Sequence, residues 1–291
     1  MTKSGLLVRA YGGFFDVDSG NGCIRCRARG RLHLDGVEPI PGDYVNWIPD
    51  PDHPGFGILT GIRSRKNSLV RPSIANLDFL VFVASASRPV TDPFLIDRMS
   101  VIAHRIGCGF LLCLNKTDLA SASDLSKIYE SCRIQVIETS AVTGTGIEML
   151  RDVLKGSVSA MTGNSGVGKS SLINLLIPGA LRETAPVSLK HGRGKHTTRH
   201  AELLALPSGG WIADTPGFAA LDVSQFSLIS AEELASCFPE FPSGKCRFPD
   251  CMHRKEPDCA VKASVDEGAI PRSRYQSYLR LLSDAEAHQE Y

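Results

Sequence analysis

The sequence lacks three features that would each indicate a particular class of protein. No apolar stretch approaches the roughly 20 residues that a membrane-spanning helix needs. Residues 1–15 also lack the charged and then apolar pattern of an export signal. Charge is nearly balanced, with 32 Lys and Arg against 31 Asp and Glu, which argues against a general polyanion binder. We therefore expect a cytoplasmic protein with no membrane segment, whose basic surfaces are local.

The nine cysteines do not suggest a disulfide framework. Their number is odd and their spacing uneven, with one tight group near the C-terminus, so reduced thiols and a single metal site fit better than disulfides. The length, 291 residues, exceeds the usual size of one compact domain. We predict three domains, residues 1–70, 71–223 and 224–291, in a monomeric protein.

Residues 1–70 predict a small β-barrel. Short alternating runs are joined by glycine and proline turns and give about five strands, the number that an oligonucleotide-binding (OB) barrel needs. One predicted strand carries alternating arginines, which would form a positive strip on one face: Arg25, Arg27, Arg29 and Arg31. The alternative is a β domain whose arginines only keep a surface strand soluble. Cys23 and Cys26 on this strand would point to opposite faces, so we expect no metal or redox role for them.

Residues 71–223 alternate predicted strands and helices, the pattern of a mainly parallel α/β sheet. Buried strands are predicted at residues 77–83, 109–114, 135–137, 158–161 and 211–213. Several of them end in a polar motif. Ligands bind outside the carboxyl ends of the strands in open sheets of this kind, so we expect the motifs to meet there.

A phosphate-binding loop is predicted at residues 163–170. The pattern Gly-x4-Gly-Lys-Ser follows an apolar strand and precedes a helical segment, as such a loop requires. Lys169 would reach the outer phosphates and the Ser170 hydroxyl would bind magnesium. Asp214, at a strand end, would hold magnesium through water, and the Gly217 amide would sense the third phosphate. The predicted loop residues are Gly163, Asn164, Ser165, Gly166, Val167, Gly168, Lys169, Ser170 and Ser171.

Guanine selectivity is predicted from residues 115–118, Asn-Lys-Thr-Asp. The Asp118 carboxylate would accept hydrogen bonds from the ring nitrogen and exocyclic amine of guanine, and adenine offers no such pair of donors. Lys116 would lie along the base, while Ser140 and Ala141 would provide backbone donors to the guanine oxygen. Together with Asn115, these residues predict that GTP is bound in preference to ATP.

The guanine motif precedes the phosphate-binding loop, whereas most G proteins have the opposite order. Only the spatial arrangement matters for holding a nucleotide, so the chain is predicted to be a circularly permuted P-loop GTPase. As a consequence, the segment Asp-Thr-Pro-Gly at residues 214–217 ends the nucleotide domain and continues directly into the C-terminal domain.

Residues 190–200 are basic and glycine-broken, which indicates a mobile switch. Either Thr197 or Thr198 is expected to close over magnesium, and Thr198 is our choice. Phe218 follows the Asp-x-x-Gly motif, where a glutamine commonly positions the attacking water, and its ring cannot hydrogen-bond water. The candidate water-orienting residue is His196, with His191 and His200 as rivals. The alternative is that these histidines contact only a partner or solvent.

Three cysteines and one histidine lie within a short stretch of the last domain, which is otherwise predicted to be helical. Three thiolates and one imidazole form a closed set of zinc ligands with no position left for catalytic water. The predicted structural zinc ligands are Cys246, Cys251, His253 and Cys259.

The motif order, the switch run HGRGKHTT, the run DTPGF and the C-terminal run beginning CRFPDCMHRKEPDC together resemble the RsgA family of ribosome small-subunit-dependent GTPases over nearly the whole chain. The resemblance implies an OB barrel, a circularly permuted GTPase domain and a C-terminal zinc domain. It further implies late maturation of the small ribosomal subunit, with hydrolysis stimulated by its rRNA. A histidine in the switch of that family favours His196.

From the residues and the resemblance we expect a GTP hydrolase that binds the small ribosomal subunit and its rRNA, uses Mg²⁺ with GTP, and holds one structural Zn²⁺. Hydrolysis is expected to be coupled to release from the subunit. Two alternatives stay open: an RNA-binding scaffold with a structural, poorly hydrolysing GTP site, and a signalling GTPase with protein effectors only.

Overall fold

A computed structural model describes residues 2–28, 37–70, 72–180, 201–214 and 229–289. The chain divides into two compact units. Unit 1 comprises residues 1–79, 151–161 and 173–218, and unit 2 comprises residues 80–150, 162–172 and 219–291. These units are each built from several chain segments, and the three-domain boundaries at residues 70 and 223 stay a prediction.

Unit 1 contains a closed five-stranded barrel, as the sequence predicted. Its antiparallel pairs are β1–β2, β2–β3, β4–β5 and β1–β4, and the parallel pair β3–β5 completes the circle. The strands are β1 Lys3–Tyr11, β2 Phe14–Asp18, β3 Cys23–Ala28, β4 Tyr44–Pro49 and β5 Phe56–Ile62. Closure pairs each of these strands on both sides, and the interior is filled by Leu7, Val17, Cys26, Val45, Trp47 and Leu59.

Strand β3 alternates as its sequence predicted. Cys26 is buried in the barrel core, whereas Arg25 is exposed and Arg27 is partly exposed on the outer side. Cys23 is exposed, so the two cysteines do not converge on one site. Arg29 and Arg31 lie outside the described residues.

Unit 1 also contains short strands outside the barrel. They are β6 Ser68–Leu69, β7 Ile74–Ala75, β11 Val158–Thr162, β12 Glu202–Ala205 and β13 Trp211–Asp214. Strand β11 is parallel to β13, β12 is antiparallel to β13, and β12 pairs with β1 of the barrel through Arg9 and Glu202. Strands β6 and β7 form a separate antiparallel pair.

Unit 2 contains the strands that end in the predicted guanine motif and before residues 139–141. Strands β8 Phe79–Ser85, β9 Gly109–Asn115 and β10 Gln135–Glu138 lie in the order β10-β9-β8, with β9 and β10 parallel. Helices α1 Pro93–Ile106 and α2 Ser123–Ser131 belong to unit 2. The unit boundaries fall within α3 Ile147–Leu154 and α4 Lys169–Leu176. Helix α1 begins where Asp92 caps the Phe94 amide and ends at Gly107, whose φ of 79° suits glycine.

The C-terminal part of unit 2 packs onto α1. It contains α5 Ala231–Leu234, a 3₁₀ turn Ala235–Cys237, α6 Ala260–Asp266 and α7 Arg272–Gln289. Tyr278 and Leu282 of α7 are fully buried in the same apolar cluster as Phe238 and as Val101 of α1. Among the described residues, no helix has both the length and the apolar character to span a membrane.

A buried ionic cluster joins α7 to α1. The Arg274 guanidinium donates to Asp97 Oδ1 at 2.7 Å and to both carboxylate oxygens of Glu240 at 2.7 and 3.3 Å. The Tyr129 hydroxyl of α2 also donates to Asp97 Oδ1, at 2.8 Å. The side chains of Arg274 and Asp97 are 0% exposed. One guanidinium thus pairs with two buried carboxylates. Burial raises the pKa of Asp97, although the charge of Arg274 opposes this shift.

Replacing Arg274 with leucine should lower the free energy of unfolding by about 3–5 kcal/mol, because it leaves two buried carboxylates without their cation. Urea unfolding followed by far-UV circular dichroism measures this change. The matched control is Arg272→Leu, because Arg272 lies on the same helix with a side chain that is 73% exposed, and its effect should stay within about 0.5 kcal/mol. Equal stability of the two variants would contradict the role of the cluster.

Candidate functional site

Asn115, the last residue of β9, connects the guanine motif to the phosphate-binding loop. Its Nδ2 donates to the Val167 carbonyl at 2.8 Å. Its Oδ1 accepts hydrogen bonds from the Ala141 amide and the Thr139 hydroxyl, each at 3.2 Å. The side chain is only 1% exposed. One buried amide therefore brings together three loops that the sequence predicted to meet around one nucleotide.

The carboxylate of Asp118 is oriented by its neighbour Ser140. The Ser140 hydroxyl donates to Asp118 Oδ1 at 2.6 Å, and Ser140 is itself buried. The Thr117 hydroxyl and amide both donate to the Thr139 carbonyl. Asp118 is exposed while its backbone surroundings are fixed, so its carboxylate can hydrogen-bond to a ligand without rearrangement of the loop.

The phosphate-binding loop has the backbone that its glycines predict. Gly163 has φ 141°, and a Cβ there would lie 2.2 Å from the Val83 carbonyl oxygen. Gly168 has φ 99°, and a Cβ there would lie 2.2 Å from Nδ2 of Asn115. Neither position can hold a larger residue without displacing the loop. Helix α4 begins directly after Gly168, which aims its N-terminus at the loop.

Lys169 lies back along the phosphate-binding loop. Its Nζ donates to the carbonyls of Gly163 and Asn164, each at 2.6 Å. Burial lowers the pKa of Lys169. Ser170 and Ser171 follow in the first turn of α4 and are exposed, so a hydroxyl is available next to the lysine for a magnesium ion.

A further wall of the site was missed by the sequence analysis. It is the segment of residues 85–91 after β8, where Lys116 Nζ donates to the Arg88 carbonyl at 2.8 Å. A Cβ on Gly166 would lie 3.7 Å from the Pro89 ring. Thr91 and Ser85 close the base of this segment through two hydrogen bonds. The sequence could have indicated this wall, because the segment follows the carboxyl end of a predicted buried strand. The other motifs occupy the same place on their strands.

The predicted metal ligands lie together in unit 2. Their four donor atoms are all within 4.8 Å of one another. His253 Nδ1 lies 3.6, 3.4 and 3.4 Å from the sulfurs of Cys246, Cys251 and Cys259, and the sulfurs of Cys246 and Cys259 are 3.9 Å apart. Tetrahedral bonds of about 2.3 Å to sulfur place two sulfurs about 3.8 Å apart. The four residues therefore fit a single four-coordinate metal ion.

The surroundings of this cluster shift the pKa values of its thiols in different directions. Burial would raise the pKa of Cys246, but the amides of Ala260 and Val261 at the start of α6 and the neighbouring thiols outweigh it and lower the pKa. Burial and the adjacent thiols raise the pKa of Cys251 to about 12. The pKa of His253 is lowered by burial, which favours the neutral, ligating ring. A cation bound at the centre would offset the electrostatic repulsion between the three neighbouring thiolates.

Two family models of known proteins match this chain. The family model described as RsgA GTPase matches residues 62–224, and the one described as RsgA N-terminal domain matches residues 4–56. The chain belongs to the RsgA GTPase family. It is a GTPase with the OB barrel and permuted nucleotide domain that the sequence predicted, and GTPases of this kind use Mg²⁺ with GTP.

Relatives of the RsgA family are similar over the full length. A Moorella thermoacetica protein named small ribosomal subunit biogenesis GTPase RsgA is 41% identical over 289 residues, which is 98% of each chain. The crystal structure of YjeQ from Thermotoga maritima has a TM-score of 0.83 and 35% identity, covering 98% of this chain and 99% of that one. The crystal structure of YloQ, described as a circularly permuted GTPase, has a TM-score of 0.82 and 31% identity, covering 99% and 96%.

The side chains of the remaining predicted residues of the RsgA nucleotide site lie outside the described part of the chain. Asp214 ends β13 in unit 1, as predicted, and only its backbone is described. Thr198, His196 and Gly217 lie outside the described residues, in the ranges 181–200 and 215–228. The assignment of these residues to magnesium, water and the third phosphate stays a prediction.

Replacing Asp118 with asparagine should change the preferred base from guanine to xanthine. The asparagine amide can donate a hydrogen bond to the oxygen that xanthine carries in place of the exocyclic amine of guanine. Two hydrogen bonds to a charged group are worth about 1.5–3 kcal/mol each, so the ratio of GTP to XTP affinity should fall by about 100-fold or more. Titration with fluorescent analogues of both nucleotides measures it. Asp124→Asn, on α2, is the matched control and should leave the ratio unchanged; unaltered GTP selectivity of Asp118→Asn would show that the base is read elsewhere.

Proposed function

We propose that the chain hydrolyses GTP on the small ribosomal subunit and assists the late maturation of that subunit. The observation that carries the nucleotide part is the Asn115 side chain, which joins the guanine motif, the loop at residues 139–141 and the phosphate-binding loop. The partner is supported by the relatives, which carry the name small ribosomal subunit biogenesis GTPase. The protein would act as a cytoplasmic monomer that contacts rRNA.

The nucleotide would lie across the carboxyl ends of the strands of unit 2. Asp118 would read the guanine edge, Lys116 would flank the base, and Ser140 and Ala141 would line its carbonyl side. The amides of the phosphate-binding loop and the Lys169 ammonium would hold the phosphates. Ser170 supplies the exposed hydroxyl for magnesium, with Thr198 and Asp214 as the other proposed contacts. Magnesium, when bound, would neutralise charge on the phosphate oxygens.

Hydrolysis would depend on the partner. Phosphoryl transfer is catalysed mainly by positioning and by stabilisation of charge, and Phe218 provides neither for the attacking water. His196 is the proposed water-orienting residue, and the Gly217 amide is the proposed sensor of the third phosphate. The isolated chain would therefore turn over slowly, and the subunit would complete the site. Loss of the third phosphate would then release the protein from the subunit.

The metal of the C-terminal cluster is proposed to be structural zinc. Three thiolates and an imidazole are the ligand set that Zn²⁺ favours, and all four positions are filled by protein. Two tyrosines of α7 hydrogen-bond to the backbone of the cluster. The Tyr275 hydroxyl donates to the His253 carbonyl at 2.6 Å, and the Tyr278 hydroxyl donates to the Met252 carbonyl at 3.0 Å. Zinc would thereby hold residues 246–259 against α7.

The purified chain should contain about one zinc per molecule, and Cys259→Ala should lose most of it because a four-ligand site becomes a three-ligand site. Inductively coupled plasma mass spectrometry measures the content. Cys237→Ala is the matched control, because Cys237 is a buried thiol outside the cluster. Zinc should also dissociate as the pH falls, since the thiolates must be deprotonated to bind it. Full zinc in Cys259→Ala would contradict the assignment.

GTP turnover should rise on addition of purified small ribosomal subunits, and His196→Ala should reduce the stimulated rate by roughly 100-fold, the scale of a lost general-base or positioning group. A phosphate-release assay with and without subunits measures both effects. His191→Ala and His200→Ala test the two rival histidines of the same basic segment, and neither should lower the stimulated rate if His196 orients the water. Undiminished turnover of His196→Ala would show that this residue does not act in catalysis. The proposal for GTP binding would not be affected by that result.

Two further outcomes separate the alternatives. Absence of stimulation together with tight RNA binding would support an RNA-binding scaffold with a structural GTP site. Equal affinity of the subunit for the chain with GDP and with a nonhydrolysable GTP analogue would rule out coupling of hydrolysis to release.

A further inference from the structure

Two adjacent loops of unit 2 adjoin the place proposed for the guanine base. Strands β8 and β9 are neighbours in the sheet. The loop after β8 is the wall at residues 85–91, which continues into α1, and the loop after β9 contains the guanine motif and continues into α2. The separation of these two loops therefore follows from the separation of the helices that they lead into.

The two loops are bonded to each other through Lys116, the residue proposed to flank the base. Its Nζ donates to the Arg88 carbonyl of the wall at 2.8 Å. The wall is closed at its base, where the Ser85 amide donates to the Thr91 hydroxyl at 2.9 Å and the Thr91 amide donates to the Ser85 carbonyl at 3.1 Å. Helix α1 begins two residues after Thr91, at Pro93. A shift of the start of α1 would therefore displace the Arg88 carbonyl and, with it, the ammonium of Lys116.

The two helices are bonded to each other through Tyr129 of α2. Its hydroxyl lies 2.8 Å from Asp97 Oδ1 and 3.1 Å from the Pro93 carbonyl oxygen, so both acceptors of its one proton belong to the start of α1. Tyr129 is only 1% exposed. Because a buried acceptor that loses its donor is costly to leave unpaired, this hydroxyl holds the start of α1 at a fixed distance from α2.

The carboxylate that accepts from Tyr129 is itself held by the C-terminal part of unit 2. Asp97 Oδ1 also accepts from the Arg274 guanidinium at 2.7 Å, and both of these side chains are fully buried. The same guanidinium lies 5.8 Å from the centre of the Tyr129 ring. One carboxylate oxygen thus joins α1, α2 and α7.

We propose that Tyr129 is a positioning residue for the guanine base: its hydroxyl fixes the start of α1 against α2 and thereby the place of the wall relative to Lys116. This inference rests on the proposed function, because it concerns the same nucleotide site. Arg274 acts in the same way one step further away, through Asp97. The rate at which a guanine nucleotide dissociates should then depend on both Tyr129 and Arg274, although neither residue contacts the nucleotide.

The test is a stopped-flow measurement, on the full-length chain, of the dissociation rates of a fluorescent GDP and of a fluorescent, nonhydrolysable GTP analogue. Tyr129→Phe keeps the ring and removes only the hydroxyl. It should raise both rates by the same factor, roughly fivefold, the scale of one weakened hydrogen bond. The factor should be the same because the altered spacing affects the base and not the third phosphate.

Arg274→Lys provides a second test, because lysine keeps the charge but not the planar fork of the guanidinium. It should also raise the dissociation rate of GDP. Since both residues act on Asp97, the double variant with Tyr129→Phe should show less than the product of the two single effects. Effects that multiply would remove Arg274 from the proposal, and Tyr129→Phe alone decides the result if Arg274→Lys does not fold.

Two controls separate positioning from a general loss of stability, which urea unfolding measures for each variant. Ser126→Ala removes a buried hydroxyl from the same helix, where its partner is Glu130 of α2, and should release GDP like the wild type. Val265→Ala weakens the apolar cluster of the C-terminal part and should lower stability without changing the rate. Wild-type rates in Tyr129→Phe, or an equal rise in Val265→Ala at the same loss of stability, would overturn the proposal. Failure of the wild-type chain to bind GDP would instead contradict the proposed function.

Discussion

The side-chain amide of Asn115 is buried between two loops of the nucleotide site and hydrogen-bonds to both. Its partners Ala141 and Val167 are 26 and 52 residues away in sequence. One group thus fixes the distance between the loop proposed to contact the base and the loop proposed to hold the phosphates. A buried amide that loses a partner costs about 1–3 kcal/mol. The close approach also explains Gly168, where a Cβ would occupy the place of the Asn115 amide.

This constraint is spatial, and it shows why the permuted chain order is compatible with a nucleotide site. Strands β8 and β9 of unit 2 end in residues 85–91 and in the guanine motif, and β11 ends in the phosphate-binding loop. The hydrogen bonds of Asn115 require only that these ends meet; they do not depend on which strand comes first. Moving the chain ends therefore changes the segment attached after the Asp-x-x-Gly motif and leaves the binding chemistry intact.

The sequence predicted those features of the fold and of the candidate site that neighbouring residues determine. The barrel strands and the central strands follow from alternation and apolar runs, and the structure confirms them. The spacing of the four candidate metal ligands predicted that they meet, and the structure places their donor atoms together. The missed features depend on distant partners. Arg88 and Pro89 form a wall of the site through a carbonyl and a ring contact, for which no motif exists. Likewise, the ion pair between Arg25 and Asp16 could not be predicted from the sequence of β3, because Asp16 lies on another strand.

The Arg274 cluster illustrates the same limit, since Asp97 is 177 residues away. Its energetics also suggest what it contributes. Buried ion pairs seldom stabilise more than apolar residues of similar size, because desolvation offsets the attraction. A cluster with one cation and two carboxylates is thus a weak source of stability but a strict determinant of geometry: Arg274 must face both carboxylates at once. Helix α1, which carries Asp97, begins directly after the wall at residues 85–91. The C-terminal part of unit 2, which carries the candidate metal ligands, therefore packs on a helix whose first residue follows the segment 85–91 closely in sequence.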